Sequence, residues 1–212
     1  MIVLLVIAAA LVAAGGATSG APPVGSSLYV VQPDPRLCPS PLCGGHWVAL
    51  ANHARTRCHD GALRPRCYVA RTVAEERHQQ AVDVPAGALV RAEIEPWEYE
   101  GFGMLGTLVV ADVFSPAGRA PPKGSFFRLA DTGVRCIRAP CFSVRASRVN
   151  RPSRTTVSGI DIGAARATPD ELVRIEAALG TKSGVRAQGR IVSVPDGGRN
   201  FLATRFFLRS VR

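Results

Sequence analysis

The stretch Glu93-Ile-Glu95-Pro-Trp97-Glu98-Tyr99-Glu100 interleaves carboxylates with aromatic rings. On a strand, Glu93 and Glu95 would share one face, with Trp97, Tyr99 and Phe102 on the loop that follows. Two carboxylates beside aromatic rings could grip a sugar ring, act as acid and base in glycoside hydrolysis, or dock a cationic surface. A polar strand edge with a hairpin loop held by aromatic packing uses the same residues without chemistry. A second candidate is Cys136-Ile-Arg138-Ala-Pro-Cys141, a small tethered loop offering Arg138. Some protease inhibitors present a substrate-like bond this way, because pre-organisation lowers the entropy cost of binding. The four histidines, His46, His53, His59 and His78, all precede residue 79. Cys43-x-x-His46 and Cys58-His59 hint at zinc, yet Cys136 and Cys141 have no histidine near them, and zinc wants four ligands at workable spacing. No GxSxG, phosphate-binding glycine loop, HExxH or CxxC is present. The expectation is no catalytic residue, no cofactor and no metal.

The elements that would position these groups come in two series. LYVVQPDPRLCPSPLCGGHWVALAN from Leu28 and FFRLADTGVRCIRAPCFSVRASRVN from Phe126 share an apolar start, a spaced cysteine pair and a closing asparagine, Asn52 or Asn150. VRA recurs at Val90–Ala92 and Val185–Ala187, and Leu105–Thr107 (LGT) is matched by Leu202–Thr204 (LAT). Leu28–Gln32, His46–Asn52, Tyr68–Val73, Leu89–Glu95 and Leu105–Phe114 read as strands, rich in Val, Leu and aromatics and bounded by turn residues. So do Phe126–Leu129, Phe142–Val149, Val157–Ile162, Val185–Val192 and Phe201–Val211. Thr168-Pro169-Asp170-Glu171 starts a helix with Thr as N-cap, Pro at the first helical position and Glu in the capping box. Leu172, Ile175 and Leu179 then line one face, and Gly180 ends it. Val73–Val82 is a weaker helix candidate at the corresponding place. The expected fold is mainly β (α+β): two related halves, each about five strands in a small sheet or partly open barrel with one short helix. The boundaries are a signal peptide over 1–21, a first repeat over 22–119 and a second over 120–212, which could share one sheet.

Residues Ile2–Ala14 are apolar and small residues follow, a run short of the roughly 20 residues that span a bilayer and typical of a secretory signal. A retained N-terminal anchor is the alternative. After signal removal no membrane span is expected. Six cysteines behind an export signal favour disulfides over metal ligation. The second series holds only Cys136 and Cys141, which most simply pair; symmetry then gives Cys38–Cys43 and leaves Cys58–Cys67.

Charge divides unevenly. Residues 28–119 carry 9 Arg against 10 acids, a net of −1, whereas residues 120–212 carry 15 Arg and 2 Lys against 6 acids, a net of +11. A basic second half could meet an acidic glycan or another anionic surface, or be a solvated surface in a chain that prefers Arg, with 24 Arg to 2 Lys; intracellular nucleic acid is not expected as a partner. Arg145, Arg148, Arg151 and Arg154 recur every third residue, which on a strand scatters them over both faces.

PDPRLCPSPLCGGHWVALAN, CYVA, GFGMLGTLVV and GVRCIRAPCFS, in this order from about Tyr29 to Leu208, resemble an uncharacterised family of secreted bacterial proteins known as a domain of unknown function. The resemblance implies secretion and the paired cysteines, and it brings no activity or site residue. The sequence therefore reads as an exported, disulfide-stabilised β-rich binding or structural module. The rivals are an extracytoplasmic hydrolase using the Glu93–Glu100 carboxylates and a protease inhibitor presenting Arg138.

Overall fold

A computed structural model describes residues 27–210; the expected signal segment lies outside the described residues. Fourteen strands and one α-helix are formed among the described residues. Twelve strands join one large, mostly antiparallel sheet, and β3 (Thr56–Arg57) with β4 (Leu63–Arg64) forms a separate ribbon. The chain is mainly β, and no closed barrel is formed among the described residues.

At the centre of the sheet β8 (Gly103–Ala117) pairs antiparallel with β14 (Arg199–Arg209). Outward from β8 come β7 (Leu89–Tyr99), β1 (Leu28–Pro33), β2 (His46–Leu50) and β5 (Cys67–Val69). Outward from β14 come β13 (Val185–Ser193), β9 (Ser125–Asp131), β10 (Val144–Arg148) and β11 (Arg154–Val157). Each outermost strand leads straight into a short one that returns to the centre. After β5, β6 (Arg71–Ala74) runs parallel to β8; after β11, β12 (Gly159–Asp161) runs parallel to β14. The return is tight at Gly106, where a Cβ would lie 2.7 Å from the Tyr68 carbonyl oxygen, so a side chain there would push β5 off β8.

Alternation along the strands builds the core. Val31, Val48, Val69, Val90, Ala92, Leu108 and Val110 are buried together with the Cys58–Cys67 bridge. A second cluster gathers Leu129, Ala146, Val157, Val185, Ala187, Phe201 and Phe206. It is covered by α1 (Pro169–Leu179), which inserts Ile175 at 1% exposure. The capping box of α1 is complete: the Thr168 hydroxyl accepts from the Glu171 amide, and the Glu171 carboxylate accepts from the Thr168 amide. No helix forms over Val73–Val82: β6 lasts to Ala74 on the β8 ladder, and bends and turns follow. Pairing of Thr72 and Val73 with the chain at Ala81 and Val82 holds that segment as a loop-back instead.

A third cluster, Ala51, Leu89, Phe114, Val149 and Phe207 with Leu28, Val30 and Phe126, lies where the starts of β1 and β9 approach. No ladder joins β1 to β9 among the described residues. Two asparagines bridge the seam reciprocally. Asn52 accepts from the Phe126 amide at 2.9 Å and donates to the Phe126 and Val149 carbonyls at 2.7 and 2.9 Å. Asn150 accepts from the Leu28 amide at 2.9 Å and donates to the Leu28 and Ala51 carbonyls at 2.7 and 3.0 Å. Both sit at positive φ, 63° and 54°, a conformation asparagine tolerates better than most residues.

Candidate functional site

Strand register gathers arginines that are far apart in sequence. Arg128 of β9 stands directly opposite Arg186 of β13, and Arg186 opposite Phe207 of β14. Arg145 of β10 shares the face of Arg128, because Ser147 two residues on is the partner of Arg128. Arg209, two residues beyond Phe207, falls on the same face, opposite Phe114. Across β8 the row ends on Arg91 of β7, opposite Asp112. Five arginines thus follow one another along one face over β10, β9, β13, β14 and β7.

Asp112 is the carboxylate set among them. It accepts from Arg91 Nε at 2.6 Å and from Arg209 Nη2. Its side chain is 8% exposed. Burial pushes the carboxyl up, but the hydrogen bonds and charges of the two guanidiniums outweigh it and hold the group below its ordinary value. The VRA arginines therefore differ: Arg91 faces a carboxylate, and Arg186 faces a phenylalanine. Arg186 lies over the Phe114 ring at 4.5 Å. Its Nη1 donates to the Ser183 and Gly184 carbonyls, while its Nε is buried with no hydrogen-bond partner. Arg128 donates to the Ser183 and Lys182 carbonyls. A cavity of about 160 Å³ opens here, lined by Arg186, Arg209, Thr181, Ser183, Phe114 and Phe207 among others. No run of sequence marks this group; its signals are the VRA repeat and the basic second half. The arginines at 145 and 154 also share a face, since Arg154 pairs with Ser147, whereas Arg148 lies opposite Phe127 and Arg151 caps the Asn52 carbonyl.

The acidic and aromatic run is placed differently from the expected strand and loop. β7 continues past Glu95 to Tyr99, so Trp97 and Tyr99 are strand residues, and Phe102 sits in the turn to β8. Beyond Arg91 the ladder partner of β7 is β8 alone among the described residues, an edge that accommodates Pro96. Glu93, Glu95, Trp97 and Tyr99 line one face, with the Arg71 guanidinium 4.0 Å from the Trp97 ring centre and 5.9 Å from that of Tyr99. Burial foremost, then the charges of Glu95 and Glu75, raise the Glu93 carboxyl above its ordinary value. Glu98 and Glu100 are exposed. The two inner carboxylates are neighbours on one strand, and neither lines the cavity at Arg186 or the larger ones beside Asp112 and Trp47.

Three disulfides are formed, Cys38–Cys43, Cys58–Cys67 and Cys136–Cys141, the pairing expected from the repeat. Arg138 is exposed in the third loop beside Ile137, which is fully exposed at 103%. Near the first loop a stack absent from the sequence reading forms: Trp47 meets Tyr68 edge-on at 5.6 Å, with Arg36 and Arg66 over the Trp47 ring. Asp34 receives Arg36 and the Trp47 indole. The hydrogen bond from Arg36, against opposing burial, lowers the Asp34 carboxyl to about 2. No group of three or more His, Cys, Asp or Glu side chains suited to a metal ion occurs among the described residues.

The fold defines a mainly β, disulfide-stapled domain. The chain belongs to the family described as "Domain of unknown function (DUF6748)", whose model matches residues 27–212. No curated protein and no solved structure matches the chain.

Proposed function

We propose that this protein is an exported binding module for an anionic polymer such as an acidic glycan, made of two related halves and working without catalysis. The observation that carries it is the row Arg145, Arg128, Arg186, Arg209 and Arg91, gathered on one face from five strands, with Asp112 between Arg209 and Arg91. A row of like charges raises the local concentration of a polyanion and releases its counterions on contact. Four of the five stand on neighbouring strands, β10, β9, β13 and β14. Export is supported by the three disulfides, which persist in oxidising compartments, and by the apolar N-terminal run. No described helix is long and apolar enough to cross a membrane.

Doubling is supported by three observations: matched strand order outward from β8 and β14, parallel returns by β6 and β12, and the mirrored bonds of Asn52 and Asn150. Where the halves differ is where the charge collects, and a partner recognised through one half explains why.

The test is retention on immobilised heparin, a sulfated glycan. The wild-type chain should elute at a salt concentration that falls for Arg128→Gln with Arg145→Gln, and the salt dependence of binding should lose about one unit of slope per arginine removed. Arg174→Gln on the exposed side of α1 should elute with wild type. Equal elution of all three, or binding indifferent to salt, overturns the reading. A second reading, protease inhibition, is favoured by the exposed Ile137-Arg138 pair on its tethered loop; trypsin unaffected by a molar excess of the protein would dispose of it.

A further inference from the structure

The arginine row is not uniform along its length. Arg145 is an exposed side chain on β10, whereas Arg186 and Arg209 border the cavity of about 160 Å³ at the start of β13. Its other polar lining residues are Thr181 and Ser183, and Phe114 and Phe207 supply apolar walls. Arg209 is committed to Asp112, and Arg128 to two loop carbonyls. Of the five arginines in the row, Arg186 is the one whose Nε is buried without a hydrogen-bond partner, a condition that Arg71 and Arg205 share outside the row. A half-buried guanidinium whose Nε is enclosed and unpaired, stacked on a ring and lacking a carboxylate across the ladder, is costly as it stands. The cost falls when an anion supplies the missing acceptor and charge. Burial, and then the charges of Arg128, Arg209 and Arg91, weaken the hold of Arg186 on its proton against the pull of Asp112, which marks the same surplus of positive charge.

We infer that the Arg186 cavity is a specific subsite for one tetrahedral oxyanion, a sulfate or phosphate group carried by the polymer. The inference rests on the polyanion reading and sharpens it: the row attracts the chain of charges, and this cavity seats a single group. Arg186 Nε would donate to one oxygen of the group, with the Arg209 guanidinium and the Ser183 or Thr181 hydroxyl as neighbours. A carboxylate has a planar head with two oxygens and would satisfy fewer of these donors, so sulfated or phosphorylated polymers should be preferred over uronic-acid polymers.

The experiment follows the arginine Nε–Hε resonances of the full chain by NMR while inorganic sulfate, inorganic phosphate or acetate is added, with chloride holding ionic strength constant. The expected result is one resonance, assigned to Arg186 and absent in Arg186→Gln, that shifts saturably with sulfate or phosphate and at least tenfold less readily with acetate. Whichever of sulfate and phosphate saturates at lower concentration identifies the source of the group. A shift that never saturates, that is shared by all arginines, or that is equal for acetate overturns the inference. The wild-type titration decides even if Arg186→Gln fails to fold. Saturation at Arg186 in a chain that heparin does not retain would sink the polymer reading alone. Heparin retention with no response at Arg186 would sink the subsite alone.

Discussion

Asp112 shows how much one side chain can organise. It is buried and receives two guanidiniums, and its carboxyl lies below the ordinary value because those bonds and charges outweigh burial. A carboxyl whose folded value is below the unfolded value of about 3.9 adds stability that is complete above roughly pH 5 and is lost as pH falls through the folded value. Asp131, held at about 2 by its bond from Arg135, and Asp34 at about 2 have the same sign. Urea midpoints should therefore be level from pH 7 to 5 and fall by pH 3. Asp112→Asn should cost about 1–2 kcal/mol of stability at pH 7, read as a lower urea midpoint, since its arginine partners are partly exposed, and should flatten the acid limb. An acid limb as steep as that of wild type would show that Asp112 plays no such part. Nothing in the sequence singled this residue out. Its partners are 21 and 97 residues away, and only the register of β7, β8 and β14 brings them together. Glu93 and Glu95 stood out because adjacency in sequence is visible, and adjacency on one strand is what they have.

At the scale of elements, local signals were read well and pairing was not. The capping box of α1 was legible because every group in it lies within four residues. Thr168→Ala should cost about 1 kcal/mol, seen as a lower thermal midpoint, and Ile175→Ala about 2–5 kcal/mol through the cavity left under the helix. The reverse ranking would mean that α1 is held by its end rather than its buried face. Val73–Val82 misled because helix propensity is weak against a ladder: Val73 and Ala74 pair with Val109 and Val110, a contact no local window contains. The extension of β7 through Pro96 was hidden for a similar reason, since a proline reads as a strand end unless one side of the strand is known to be open. The cysteine scheme was legible because the second series offered only one pair. The bridges differ in access: Cys38 and Cys136 are exposed, while Cys58 and Cys67 are buried at 8% and 1%. Thiol–disulfide exchange needs access, so limited dithiothreitol followed by alkylation and peptide mapping should label the two short loops first. Earlier labelling of Cys58 and Cys67 would contradict this packing.

For the whole molecule, the seam at Asn52 and Asn150 ties the outer strands across the central pair. Replacing either with alanine removes three hydrogen bonds and a residue suited to positive φ, a loss of roughly 2–4 kcal/mol, and the two losses should be non-additive because the bonds interlock. The like spacing of the two cysteine-pair segments made these asparagines visible in sequence without revealing that each bonds to the chain beside the other. The same holds for charge. Composition showed that residues 120–212 are basic, but only the sheet order converts that charge into a row, and Arg91 joins the row from residues 28–119, whose net charge is −1. The most direct test of that row as the binding face is amide NMR of the full chain titrated with a short heparin oligosaccharide. Perturbations should cluster on β9, β10, β13 and β14 around Arg128, Arg145, Arg186 and Arg209, with β2 and β5 unmoved. Perturbations centred on the β7–β8 hairpin at Trp97 and Tyr99, or scattered without pattern, would contradict it.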